Sequence, residues 1–126
     1  IRRYMLQTLL PSARRVTIHV GGEDVIVSAD CASSVALVVN ELVQNALKYA
    51  FPSGQAGRIG IELHSGRPLC QLTVWDNGVG FQADRPRPGG AGLELASTIV
   101  REKLTGEWSV ESGPGGTRIS FDFLEQ

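Results

Sequence analysis

Three polar residues on one predicted helix are the first candidates for chemistry. Glu41, Asn45 and Lys48 lie four and three residues apart, so a carboxylate, an amide and an ammonium share one helical face. One use for that set is phosphate chemistry, with Asn45 as an oxygen ligand for Mg²⁺, Lys48 as a phosphate contact and Glu41 as a base or water-orienting group. A solvated polar ladder fits the same spacing. Further along, Trp75-Asp76-Asn77-Gly78-Val79-Gly80 closes an alternating apolar stretch with a carboxylate followed by two glycines. Glycine tolerates positive φ and close backbone approach. An aspartate held there can accept a hydrogen bond from an exocyclic amine such as that of adenine, and would discriminate against a base lacking that donor. A tight turn with a surface aspartate is the plainer alternative. Third, Gly89-Gly90-Ala91-Gly92 runs into a helix predicted to begin near Leu93. Free N–H groups and the positive end of the helix dipole suit phosphate. The GK[ST] of a Walker A loop is missing, and a flexible connection explains the glycines equally well.

The elements that must hold these residues follow from periodicity. Met5, Leu6, Leu9 and Leu10 before Pro11 read as the tail of a helix. Val16, Ile18 and Val20 alternate as a strand up to Gly21-Gly22, and Val25 to Val27 read as a second short strand. Val35, Val38, Leu42, Ala46 and Tyr49 recur at helical steps from about Ala32 to Ala50, with Asp30 near the start as a capping residue. Two strands follow around Ile59 to Leu63 and Cys70 to Val74. Leu93, Ala96, Val100 and Leu104 mark a second amphipathic helix stopped by Gly106. A hairpin ends the chain, with Trp108 and Val110 before the turn Gly113-Pro114-Gly115-Gly116, and Thr117, Ile119, Phe121 and Phe123 in phase after it. Grouped strands with two covering helices imply an α+β two-layer sandwich. Residues 1–12 are expected to be the end of a linking helix from an upstream domain, the abrupt start at Ile1 suiting an excised piece, and residues 13–126 to be one domain.

Composition excludes several classes. The 126 residues are 42% apolar and 20% charged, ordinary for a globular domain. A net charge of −1 argues against nucleic acid as a partner. No run approaches the roughly 20 apolar residues needed to span a bilayer, and no signal peptide is visible, so the cytoplasm is the expected compartment. Cys31 and Cys70 lack metal-ligand spacing and read as reduced core residues.

In order along the chain, ELVQNALKYAF, WDNGVGF, GGAGLEL and the GGT before the last strand resemble the N, G1 and G2 boxes of the GHKL ATPases. The histidine kinase subfamily with a short nucleotide lid is the nearest match, and the resemblance runs from about Val16 to Phe123. It implies a mixed, mostly antiparallel sheet covered on one face by helices. It also implies ATP and Mg²⁺ as ligands. By the resemblance, Asn45 coordinates Mg²⁺, Lys48 contacts phosphate, Tyr49 packs on the adenine ring, and Asp76 reads adenine in a pocket shaped by Gly78 and Gly80. Gly90 and Gly92 lie beside the phosphates with Leu93 at the helix start, Thr117 stands near the aspartate and helps fix a water, and Glu41 matches the general base of hydrolysing relatives. The lid from Phe81 to Gly89 is short, stiffened by Pro86 and Pro88 and carries Arg85 and Arg87, and Phe81 alone stands where a phenylalanine box is sought.

The implied activity is transfer of the ATP γ-phosphoryl to a histidine on a separate dimerisation domain, and then to a response regulator, with no nucleic acid and no direct membrane contact. Neither His19 nor His64, each in or ending a strand, reads as that acceptor. The alternatives within the fold are an anti-sigma-factor-type serine kinase and a nucleotide-binding module without catalysis.

Overall fold

The alternating stretches become strands wherever a neighbouring strand can satisfy their backbone groups. A computed structural model describes residues 2–9, 15–52, 56–81 and 91–125. In chain order it contains β1 (Arg2–Leu9), β2 (Arg15–Gly22), α1 (Ala29–Tyr49), β3 (Gly57–Ser65), β4 (Leu69–Asp76), α2 (Ala91–Glu102), β5 (Trp108–Gly113) and β6 (Gly116–Leu124). The six strands form one sheet in the order β1-β2-β3-β4-β6-β5. β2 and β3 are parallel, joined across α1, and the other four pairings are antiparallel. The α+β two-layer sandwich with a mixed, mostly antiparallel sheet is therefore present.

Period two explains which face is covered. In β6, Thr117, Ile119, Phe121 and Phe123 are buried, and in β4 Cys70, Leu72, Val74 and Asp76 are buried. These rows face α1 and α2, whose Val38, Leu42, Ala46, Ala96 and Val100 complete the core. Phe121, 1% exposed, is among its largest members. Phe121→Ala is expected to cost about 3–5 kcal/mol of unfolding free energy, read as a lower urea midpoint with an unchanged slope. Among the described residues no helix covers the opposite face, yet it is not bare. Trp75 lies across Gly60, where a Cβ would sit 2.0 Å from the indole Cε2, and its ring stacks on that of His19 at 6.4 Å. Among the described residues, no helix is long and apolar enough to cross a membrane.

Three sequence expectations need correction. Residues 2–9 form a strand rather than the tail of a helix, because the exposed edge of β2 offers Arg2–Leu9 a full antiparallel ladder. A short apolar run has no decisive period of its own, so tertiary pairing decides. Val25 to Val27 form no strand. Val25 and Val27 pack on the core while Ile26 is 73% exposed, and β2 already has a partner on each side. The cap of α1 is Ser28, whose hydroxyl accepts the N–H of Cys31 at 3.1 Å. Asp30 lies in the first turn instead, where a negative charge favours the helix dipole. Both cysteines are free, and burial pushes the thiols of Cys31 and Cys70 up, Cys70 further under the influence of Glu125.

Candidate nucleotide site

The end of the sheet where β4 finishes is built by loops locked onto α1 and onto the β5–β6 hairpin. Asp76 closes β4 and is 8% exposed. One of its oxygens accepts the N–H of Gly78 at 2.9 Å. The next residue extends the ladder past the strand end: the Asn77 side chain accepts the N–H of Arg58 at 2.7 Å, and the Asn77 N–H donates to the Arg58 carbonyl at 3.2 Å. The chain then runs against the end of α1, where Val79 N–H donates to the carbonyl of Ala50 at 2.9 Å. A Cβ on Gly78 would sit 2.2 Å from that same carbonyl, so only glycine permits the approach. Gly80 turns with φ of +69° directly beneath the hairpin, and a Cβ there would sit 1.9 Å from the Gly113 carbonyl oxygen.

This contact brings the last turns of α1 to the β4 turn, and with them the polar trio. Asn45 lies inside the buried stripe of the helix at 5% exposure, whereas Glu41 and Tyr49 are half-buried and Lys48 is exposed. Opposite Asp76 in the sheet register stands Thr117 at 4% exposure, and opposite Thr117 stands Ser112. The hydroxyls of Ser112 and Thr117 are 2.7 Å apart. Gly116, at φ of +131°, lets the turn approach the Asp76 carbonyl, which a Cβ would meet at 2.0 Å. A cleft of about 490 Å³ opens here, with Trp75, Asp76, Asn77, Ser112, Pro114 and Thr117 among its walls.

Of the residues singled out in the sequence, the structure thus gathers Asp76, Gly78, Gly80 and Thr117 at one end of the sheet, adjoining the α1 end that carries Asn45, Lys48 and Tyr49. Gly92 and Leu93 are in the first turn of α2, which begins at Ala91. Gly90, like Pro86, Pro88, Arg85, Arg87 and Gly89, lies outside the described residues. Phe81 donates its N–H to the Ser112 hydroxyl at 2.8 Å. His19 is stacked on Trp75, in the register row next to Asp76, and His64 lies 4.0 Å from a Glu23 oxygen and 3.8 Å from a Glu62 oxygen, toward the other end of β3. Ser112 and the side chain of Asn77 lie outside the roles legible in the sequence. The glycine turn at 113–116 carried the signal for Ser112, since a hairpin closing there pairs 112 with 117. Nothing comparable pointed to Asn77, whose partner is the backbone of a residue 19 positions away.

Known proteins resemble this chain in sequence and fold. The family model described as histidine kinase-, DNA gyrase B- and HSP90-like ATPase matches residues 31–126. The blue-light-activated histidine kinase 2 of Erythrobacter litoralis is 31% identical over 112 residues, covering 85% of this chain and 32% of that protein. The swarming motility regulation sensor protein RssA of Serratia marcescens is 36% identical over 116 residues, covering 80% of this chain and 24% of that protein. The solved histidine kinase domain of a blue-light-activated histidine kinase from Erythrobacter litoralis superposes with a TM-score of 0.74 at 27% identity, covering 86% of this chain and 53% of that one. The chain therefore spans about a third or less of the length of these curated relatives. With the sheet order, the glycine turns and the family match in agreement, this chain belongs to the histidine kinase-, DNA gyrase B- and HSP90-like ATPases, a family of ATP-binding domains.

Proposed function

We propose that this chain is the ATP-binding catalytic domain of a sensor histidine kinase, passing the γ-phosphoryl of ATP to a histidine on a separate dimerisation domain of the same protein. The observation that carries this reading is the convergence of buried Asp76 and Thr117 with the α1 end bearing Asn45, Lys48 and Tyr49. Similarity to sensor kinases over most of the chain supports the choice of a histidine acceptor.

Each residue then has a physical task. Asp76 accepts the exocyclic amine of adenine while holding the Gly78 N–H, which a carboxylate with about four lone-pair sites can do. Gly78 and Gly80 let the backbone come close to the base, and the half-buried ring of Tyr49 packs beside it. The hydroxyl of Thr117 holds a water or the base edge next to Asp76. Lys48, exposed one turn beyond Asn45, reaches the phosphates as a mobile cation. Gly92, in the first turn of α2, contributes a backbone N–H from the helix end that has no internal acceptor, and Gly90 and Leu93 flank it.

Mg²⁺ fits this site by donor chemistry. The amide oxygen of buried Asn45 offers one hard oxygen donor. That matches an ion which keeps few protein ligands and relies on substrate phosphates. Bound at Asn45, Mg²⁺ would offset charge on the triphosphate. Glu41, one turn before Asn45, orients the incoming imidazole. The imidazole nitrogen forms a bond to the γ-phosphorus as the bond to the β–γ bridging oxygen breaks, and ADP leaves. Catalysis by the chain is positioning and electrostatics, and a response regulator takes the phosphoryl next.

The test is incubation with γ-labelled ATP, Mg²⁺ and a histidine-bearing dimerisation domain. An acid-labile, alkali-stable phosphoprotein is expected. An acid-stable product on a partner hydroxyl would favour a serine kinase, and nucleotide binding without any transfer would favour a module lacking catalysis.

A further inference from the structure

Ser112 is half-buried one pair before the Gly113–Gly116 closure of the hairpin turn, outside every motif that drew attention in the sequence. Its hydroxyl makes two contacts: it accepts the N–H of Phe81 at 2.8 Å and shares a hydrogen bond with the Thr117 hydroxyl at 2.7 Å. A hydroxyl has one proton and two lone pairs. With one lone pair committed to Phe81, the bond to Thr117 holds the two hydroxyls together, whichever of them donates. Thr117 stands opposite Asp76 in the register, and Phe81 follows Gly80, which is seated on the carbonyl of Gly113, the neighbour of Ser112. One side chain on β5 therefore ties the hydroxyl beside Asp76 to the point where the chain leaves the β4 turn.

We propose that Ser112 is a positioning residue for the nucleotide site, setting the Thr117 hydroxyl and the Gly80–Phe81 backbone at the spacing the base requires. The inference rests on the nucleotide reading given above, and it acts through Thr117 and Phe81 rather than by touching the phosphates. Ser112→Ala leaves two hydrogen-bonding groups to find other partners. Ser112→Thr keeps the hydroxyl, in a strand that favours β-branched residues.

The experiment measures ATP affinity by calorimetry, thermal midpoint without nucleotide, and amide exchange at Phe81 for the chain and both variants. Ser112→Ala is expected to weaken ATP binding about tenfold, the scale of one or two hydrogen bonds, with a nucleotide-free midpoint only a few degrees lower. Its Phe81 amide should exchange about tenfold faster, and Ser112→Thr should restore all three readings. A purely structural role would lower the midpoint and leave the affinity of the folded fraction unchanged, which overturns the proposal. Equal loss in Ser112→Ala and Ser112→Thr also overturns it. If the unaltered chain binds no ATP, the nucleotide reading itself fails, and an unchanged Phe81 exchange rate in Ser112→Ala would separately refute the anchoring role.

Discussion

Asp76→Asn is expected to weaken ATP binding by at least about 100-fold while leaving the fold intact. The carboxylate accepts the Gly78 N–H at 2.9 Å, and the amide oxygen of an asparagine can keep that bond. What changes is the other half of the side chain, where an NH₂ donor replaces an acceptor. It would then meet the exocyclic amine of adenine donor to donor in a site only 8% exposed. A site built to pair a polar group rejects a ligand that leaves the pair unmade by several kcal/mol. The thermal midpoint should stay within about 2 °C, since the cost falls on binding. Calorimetry and a melting curve on the same sample check both halves. Unaltered ATP affinity in this variant would remove Asp76 from base recognition.

Gly80→Ala is expected to damage both stability and binding. Its φ of +69° is a left-handed conformation that disfavours side chains, and the added Cβ would lie 1.9 Å from the Gly113 carbonyl oxygen. That neighbour is backbone, so relief requires the β4 turn to part from the hairpin. A cost of about 2–4 kcal/mol follows, a fall on the order of 10 °C in midpoint for a domain of this size. Because the turn carries the Gly78 contact to Asp76, nucleotide affinity should fall as well, by about tenfold or more. Gly115→Ala is the control, since a Cβ there meets nothing within 4 Å, and it should melt and bind nearly as the unaltered chain does. Equal melting of the two variants would mean that the turn does not bear on the hairpin as described.

How much of this was legible beforehand depended on whether the cause was local. The long helix was readable because Val38, Leu42 and Ala46 keep one period across many residues. The hairpin was readable because its glycines fix a turn and the apolar alternation of Ile119, Phe121 and Phe123 fixes a face. Residues 2–9 misled because the reason for their strand is the edge of β2, which no local pattern announces. Val25 and Val27 do alternate inward as a strand would, yet without a free neighbour to pair with they remain a connecting segment. In the candidate site the same division holds. Asp76 and the glycines were readable from composition and order, and the buried state of Asn45 refined a face that spacing alone had made polar. The ties that hold the site, Asn77 to Arg58 and Ser112 to Phe81, join residues 19 and 31 positions apart and exist only in the fold.

The most direct measurement is a calorimetric titration of the chain with ATP, with and without Mg²⁺, set against GTP. Binding should favour the adenine nucleotide by about 100-fold or more, because the guanine edge offers a carbonyl where Asp76 requires a donor, and Mg²⁺ should tighten it. Equal affinity for ATP and GTP, or ATP binding unaffected by both Mg²⁺ and the Asp76→Asn change, would contradict the site described at the end of β4.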